Sequence, residues 1–186
     1  MIQKAAEFAA KVHAGVFRKG SRLPYIVHPT EVALIVTVMT SDPEVIAAAY
    51  LHDVIEDAGV SYEELKNLFG KRVADLVREE SEDKSRTWKE RKQQTIERLQ
   101  TAGWDEKVIA FGDKLSNLRS TGKDYLVMGD EIWKKFRQKD KAMHAWYYKS
   151  MLPAFEEFRM YPFVDEYRLL LRLVFDSPFP KMEDRK

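Results

Sequence analysis

The amino-acid sequence predicts an all-α fold of about eight to ten helices. Helix-start signals recur along the chain, whereas only residues 35–38, Ile-Val-Thr-Val, have the composition of a strand. A strand needs a partner, and no second credible strand is present, so we interpret this run as helical. The length of 186 residues fits a single domain over 1–186, with its core at about 2–160 and a C-terminal helix and tail at 161–186.

The helices can be placed from their end signals. Asp42-Pro43-Glu44 supplies an N-cap, a first-turn proline and an acidic first turn, which predicts a helix running to about residue 57. Ser61 with Glu64, and Thr87 with Glu90, have capping-box spacing and predict helices that end near residues 70 and 103. The remaining helices are expected at about 2–14, 29–40, 71–79, 105–119, 130–137, 139–159 and 163–175. The polar segment 79–86 is expected to be a loop, and 177–186 a frayed tail.

Composition excludes several classes of function. With 31 Lys and Arg against 30 Asp and Glu, the net charge of +1 provides no global attraction to nucleic acid or to an anionic membrane. Because there is no cysteine, any metal must be held by histidine and carboxylate. No apolar run approaches 18 residues, so the sequence predicts neither a signal peptide nor a membrane span, and a cytoplasmic location is expected.

Two apolar segments contain acidic residues that need a partner. The run Val45–Ile55 is apolar almost all round, which indicates a buried helix, yet it contains His52 and Asp53. Asp113 lies in a second apolar run. Burying a carboxylate without a cation, hydrogen bonds or a metal ion is costly, and one divalent ion bound by both acids and His52 would neutralise them together.

His28 is a fourth candidate ligand, because Pro29 after it places the imidazole at the start of a helix. Two nitrogens and two carboxylates without sulfur suit manganese or iron, with magnesium as a further option. Water bound to such an ion is the candidate nucleophile. A buried histidine taken alone is more often a hydrogen-bonded core residue than a ligand, and only the conjunction favours a metal site.

Acidic and basic residues flank these candidate ligands. Glu56 and Asp57 follow one helical turn after His52 and Asp53, which suits a general acid/base pair, although both are also explained as exposed acids at a helix end. Arg18, Lys19 and Arg22 precede His28 and would hold phosphate oxygens or stack on a base, unless they form an ordinary solvated loop. Lys84, Arg91 and Arg119 are further candidates, with Arg91 equally well explained as an exposed helix residue.

Four motifs in this order resemble one known family. RKGSRLPYIVHP, AAAYLHDVIED, SEDKSRTWKERK and FGDKLSNL are similar to motifs of the metal-dependent HD phosphohydrolases of the RelA/SpoT hydrolase type, with the stand-alone small alarmone hydrolases as the nearest match. The resemblance covers residues 2–160. The sequence departs from the family at Val16, where glutamine is usual, at Glu80, where an apolar residue is common, and at Gly112, where alanine is usual.

The resemblance implies an all-helical domain that binds one Mn²⁺ and removes the 3′-pyrophosphate of ppGpp or pppGpp. It implies that His28, His52, Asp53 and Asp113 hold the metal and that Glu56 and Asp57 are the catalytic acids. It also implies that Arg18, Lys19 and Asn117 contact the nucleoside, with Tyr25 shaping the pocket. Two alternatives remain open: an NADPH 2′-phosphatase or other nucleotide phosphohydrolase on the same site, and a catalytically silent nucleotide-binding module. The expected partner is a small-molecule nucleotide.

Overall fold

Ten α-helices, two short 3₁₀ segments and one π-helical turn, with no β-strand, make up the regular structure of residues 1–176, which are the residues that the computed structural model describes. This confirms the predicted all-α class. The helices are α1 (Ile2–Val12), α2 (Val27–Met39), α3 (Pro43–Leu51), α4 (Val54–Ala58), α5 (Tyr62–Phe69), α6 (Lys71–Glu80), α7 (Trp88–Thr101), α8 (Trp104–Met128), α9 (Lys141–Phe155) and α10 (Pro162–Leu171). None of them combines the length and apolarity needed to cross a membrane.

The chain forms two compact units, Met1–Ser116 and Asn117 onward. In the first unit α3 is central, since it packs on α1, α2 and α6, and Ala47, Ala48 and Ala49 are all fully buried. In the second unit α9 packs on α10, with the ring of Tyr167 edge-on to Phe155. The expectation of a single domain stays a prediction.

The predicted caps are present. Asp42 accepts a hydrogen bond from the backbone N–H of Glu44 at 2.9 Å, and Pro43 occupies the first turn of α3. The Ser61 hydroxyl accepts from the N–H of Glu64, and Thr87 with Glu90 forms a complete capping box at the start of α7. These side chains satisfy backbone donors that have no partner inside the helix.

Two helix predictions were wrong in their extent. The helix expected to run from 43 to 57 ends at Leu51, and α4 begins at Val54. The helix expected at 105–119 continues to Met128, because nothing before Gly129, where φ is +58°, breaks it. The helix expected at 130–137 is a 3₁₀ segment, Gly129–Lys135. The loop predicted at 79–86 starts only after Glu80, and the predicted tail lies outside the described residues.

A close approach between α2 and α8 depends on Gly112. A Cβ atom at this position would lie 3.2 Å from the backbone oxygen and a side-chain methyl of Val32, and 3.3 Å from Val36. The glycine therefore lets α8 lie close to α2. Because the next residue is Asp113, this contact brings its carboxylate towards the start of α2.

Candidate metal centre and active site

Four side chains from three separate segments of the chain, around residues 28, 52–53 and 113, converge in the first unit. The Nε2 atoms of His28 and His52 lie 3.2 Å apart. Asp113 Oδ1 is 3.1 Å from His28 Nε2 and 3.7 Å from His52 Nε2. Asp53 Oδ2 is 3.0 Å from His52 Nε2 and 3.5 Å from His28 Nε2. The ligand atoms of His28, His52 and Asp113 lie within 4.8 Å of one another, close enough to hold one metal ion.

The break between α3 and α4 positions two of these side chains. His52 follows the last residue of α3, where the carbonyls of the final turn lack intrahelical partners. The Ala49 carbonyl lies 2.9 Å from His52 Nδ1 and accepts its hydrogen. Nδ1 therefore carries a proton, and Nε2 is the ring atom that faces the other three side chains and offers them a lone pair when the ring is neutral.

His28 lies in the first turn of α2, and its ring is fixed in a similar way. Its Nδ1 is 2.9 Å from the hydroxyl of Ser116, which in turn lies 2.6 Å from Glu31 Oε2. The two Nε2 atoms therefore face each other 3.2 Å apart, where the lone pairs of two neutral rings would repel each other unless a proton or a cation lay between them. Two nitrogen lone pairs and two carboxylates directed at one point are the donor set expected for a divalent cation, so these residues fit the group.

Strong electrostatic coupling links the four side chains. Burial lowers the pKa of His52, but the charge of Asp53 and the hydrogen bond to Asp113 outweigh it and raise the pKa well above its usual range. Burial likewise raises the pKa values of Asp53 and Asp113, but the histidines, with Lys114 beside Asp113, hold both well below their usual range. The Lys114 ammonium forms an ion pair with Asp113 Oδ2. Both carboxylates are therefore ionised at neutral pH.

Tyr25 contacts the cluster directly. Its hydroxyl donates to Asp53 Oδ2 at 2.5 Å and lies 3.3 Å from Asp57 Oδ2. The Tyr25 ring packs against the buried ring of His13, with centroids 4.8 Å apart. The guanidinium of Arg18 lies over the Tyr25 ring, 5.8 Å from its centroid. Tyr25 stays a predicted pocket residue, and its hydroxyl also contacts a candidate metal ligand.

Glu56 and Asp57 adjoin the loop after α6. Glu56 Oε2 accepts from the backbone N–H of Glu82 at 3.4 Å, and the ammonium of Lys84 lies 2.6 Å from the Glu56 carbonyl oxygen and 3.4 Å from Asp57 Oδ1. Burial raises the pKa of Glu56, and the negative charges of Glu82 and Asp57 raise it further. A carboxyl group with a raised pKa can exchange a proton nearer neutral pH, as general acid/base chemistry requires.

The other substrate-binding candidates are distributed over both units. Arg18 and Lys19 lie in the loop before Tyr25. Two backbone hydrogen bonds close this loop: the Arg18 N–H donates to the Leu23 carbonyl, and the Tyr25 N–H donates to the Val16 carbonyl. Lys84 adjoins both predicted catalytic acids. Asn117 and Arg119 belong to the second unit, where Arg119 forms two hydrogen bonds with Glu166.

Four residues near the cluster were not singled out from the sequence: Glu31, Glu82, Lys114 and Ser116. Glu31 follows His28 by three residues, and Ser116 follows Asp113 by three. That spacing places each of them on the same helix face as a candidate ligand, so the sequence alone could have indicated that they lie near the site. Glu82 is held by Arg91 at 2.9 Å and Lys92 at 2.6 Å, contacts across a loop that no local pattern indicates.

Comparison with known proteins shows the family. Residues 5–142, which include all four converging side chains, match the family described as HD domain. The chain belongs to the HD domain family. HD domains are metal-dependent, and the group of His28, His52 and Asp113 is the part of this one suited to a metal ion.

Two of three relatives of this HD domain have names or titles that mention ppGpp hydrolysis. A Drosophila melanogaster protein named guanosine-3′,5′-bis(diphosphate) 3′-pyrophosphohydrolase MESH1 is 40% identical over 121 residues, covering 63% of this chain and 68% of its own. The crystal structure of lmo0812 from Listeria monocytogenes is similar with a TM-score of 0.73 at 33% identity, covering 81% of this chain and 99% of the other. A structure titled as a metazoan ortholog of SpoT that hydrolyzes ppGpp has a TM-score of 0.62 at 30% identity, covering 84% and 94%.

Proposed function

We propose that this HD domain is a Mn²⁺-dependent hydrolase that removes the 3′-pyrophosphate of ppGpp and pppGpp, releasing GDP or GTP and pyrophosphate. The observation that carries the proposal is the convergence of His28, His52, Asp53 and Asp113 in a chain whose relatives are named for that reaction. The proposal includes a cytoplasmic location, where nucleotide substrates are available.

The metal would be held by those four side chains. A divalent cation supplies a Lewis acid that lowers the pKa of water and offsets the charge of phosphate oxygens. The nitrogen-and-carboxylate donor set, which lacks sulfur, favours Mn²⁺ over the softer metals. Tyr25 and Ser116 hold Asp53 and His28 in place by hydrogen bonds.

Glu56 and Asp57 are the proposed acid/base pair. The raised pKa of Glu56 suits it to take up the proton that water releases during hydrolysis. Asp57 lies between the Tyr25 hydroxyl and the Lys84 ammonium, which links it to both the metal-ligand side and the loop side of the site. A module that only bound nucleotide would have no need of this pair.

Positive charge for the substrate comes from the loop 17–24 and from Lys84. Arg18 and Lys19 are proposed to bind the nucleoside, with the Arg18 guanidinium already against the aromatic ring of Tyr25. Lys84 is proposed to contact a phosphate, since its exposed ammonium already lies beside Glu56 and Asp57. Asn117 and Arg119 stay proposals as nucleotide contacts.

The decisive experiment resolves the products of a substrate panel. The purified chain is incubated with ppGpp, pppGpp or NADPH, each with Mn²⁺, with Mg²⁺ or after chelation. The proposal expects pyrophosphate with GDP from ppGpp and with GTP from pppGpp, in Mn²⁺ only or best in Mn²⁺. Orthophosphate released from NADPH alone would assign the site to a 2′-phosphatase. Asp53→Ala is the inactive control, because it removes a proposed metal ligand.

A further inference from the structure

We propose that Ser116 and Glu31 act as a positioning pair that fixes the tautomer of His28 and thereby strengthens metal binding. The inference rests on the proposed function in one respect, namely that a metal ion binds at His28. It adds two residues from different helices, α8 and α2, to the machinery of the site. Neither residue is one of the four candidate ligands, and both would act through the imidazole ring.

The direction of the hydrogen bonds follows from the donors available. An ionised glutamate only accepts, so the single hydroxyl hydrogen of Ser116 is directed at Glu31 Oε2, 2.6 Å away. The Ser116 oxygen then has lone pairs but no hydrogen for His28, whose Nδ1 lies 2.9 Å from it. His28 Nδ1 must therefore donate, which makes Nε2 the unprotonated atom of the neutral ring, and Nε2 faces Asp113 Oδ1 at 3.1 Å.

Burial keeps water from replacing either of these hydrogen bonds. Ser116 is 1% exposed and His28 is 3% exposed, so neither can exchange its partner for solvent water at low cost. His52 achieves the same tautomer through the backbone carbonyl of Ala49. Ligating histidines commonly donate their second N–H to a carboxylate or carbonyl, and losing that partner typically weakens metal affinity about tenfold to a hundredfold.

Register explains why the pair exists. Glu31 lies one helical turn after His28 on α2, and Ser116 lies one turn after Asp113 on α8. Each helix thus contributes one candidate ligand and one member of the pair on the same face. The hydrogen bond from Ser116 to Glu31 joins the two helices where Gly112 brings them close.

The test measures Mn²⁺ affinity by the electron paramagnetic resonance signal of free Mn²⁺. Ser116→Ala and Glu31→Leu should each raise the Mn²⁺ dissociation constant about tenfold or more, whereas Glu31→Gln, which keeps a carbonyl acceptor, should raise it less. The matched controls are Thr121→Val, which removes a buried hydroxyl elsewhere on α8, and Glu63→Leu on the exposed side of α5. Both controls should leave the constant unchanged. Circular dichroism confirms that each variant is folded, and the half-buried Glu31 keeps the test usable if Ser116→Ala does not fold.

A second readout follows the tautomer itself. In protein loaded with diamagnetic Zn²⁺, the Nδ1–H protons of His28 and His52 should give two protected downfield resonances. Ser116→Ala should remove or broaden that of His28 and leave that of His52, which is bonded to Ala49. Unchanged Mn²⁺ affinity in Ser116→Ala and Glu31→Leu, or an unchanged His28 resonance, overturns the pair.

The two proposals fail differently. If the wild-type chain binds Mn²⁺ and the variants weaken it, but ppGpp is not hydrolysed, the positioning pair stands and the proposed function falls. If ppGpp is hydrolysed and the variants bind Mn²⁺ like the wild type, only the positioning pair falls. A wild-type chain that binds no Mn²⁺ overturns both.

Discussion

The phenolic hydroxyl of Tyr25 donates a 2.5 Å hydrogen bond to Asp53 Oδ2, so an aromatic residue from the loop before α2 fixes the acid that follows α3. Burial raises the pKa of Tyr25, and the negative charge of Asp53 raises it further, so the hydroxyl keeps its hydrogen at neutral pH and remains a donor. The same Oδ2 atom lies 3.0 Å from His52 Nε2, so the tyrosine bonds the carboxylate oxygen that faces the histidines.

Tyr25→Phe should therefore act on the metal rather than on the nucleotide. The variant keeps the ring that packs on His13 but loses the hydrogen bond, and we expect Mn²⁺ affinity to fall about tenfold while KM for ppGpp at saturating Mn²⁺ changes little. Tyr62→Phe is the matched control, because Tyr62 makes an equivalent bond to Asp75 at 2.8 Å elsewhere in the same unit. A raised KM with unchanged Mn²⁺ affinity would instead make Tyr25 a substrate contact, as the sequence analysis predicted.

Glu56→Gln should separate binding from turnover. Glutamine keeps the size of the side chain but cannot exchange a proton, so we expect kcat to fall about 100-fold with nucleotide affinity retained. Glu63→Gln, which alters an exposed carboxylate on α5, is the control. Steady-state kinetics with a binding titration checks the split, and an unchanged kcat would remove Glu56 from the mechanism.

The same substitution should stabilise the protein at neutral pH. The pKa of Glu56 is raised in the folded state by burial and by Glu82, so the folded protein holds this proton more tightly than the unfolded chain does. Ionised Glu56 therefore lowers stability above its folded pKa, and this cost disappears as pH falls below its ordinary value. Glu56→Gln should raise Tm at pH 7.5 and lose that advantage near pH 4. A variant less stable than wild type at pH 7.5 would contradict the assignment.

Lys84 should tune the pH dependence of the reaction. Its ammonium lowers the pKa of Glu56 against the opposing effects of burial and Glu82, so Lys84→Met should raise that pKa. If Glu56 acts as a base, the acidic limb of kcat/KM against pH moves to higher pH, and activity falls most below neutrality. The pH profile is compared with that of Lys89→Met, a lysine on α7. An acidic limb that stays in place would show that Glu56 does not set it.

Asp53 and Asp113 are the residues of the candidate site that the sequence indicates most directly. Burial of acids in apolar runs identified Asp53 and Asp113 before any coordinates, and the structure brings them to the same two histidines. A buried charge needs a partner wherever it lies in the chain, so an acid in an apolar run indicates such a partner from the sequence alone. The roles of these residues as metal ligands stay proposals.

Other features depend on tertiary contacts that no local pattern encodes. The apolar run through His52 indicates one continuous helix, and the break there arises where the ring of His52 takes over the Ala49 carbonyl. The hydroxyl of Tyr25 reaches Asp53 across 28 positions, and Glu82 lies beside Glu56 through a loop held by Arg91 and Lys92. Long-range partners of this kind are set by packing, not by spacing along the chain.

Removing the metal should destabilise the chain measurably. Four ionisable side chains point at one another within the first unit, and a cation that binds only the folded state stabilises it by mass action. We expect Tm to fall on chelation and to rise with Mn²⁺ concentration. The free energy of unfolding should gain about 2.7 kcal/mol when Mn²⁺ is in hundredfold excess over its dissociation constant. Asp53→Ala should abolish the Mn²⁺ response because it deletes a proposed ligand, whereas Asp83→Ala, which removes an exposed acid in the neighbouring loop, should keep it. A Tm that does not depend on Mn²⁺ in the wild type, or an equal response in Asp53→Ala, would mean that the four side chains are a buried ion-pair network with no role in holding a metal.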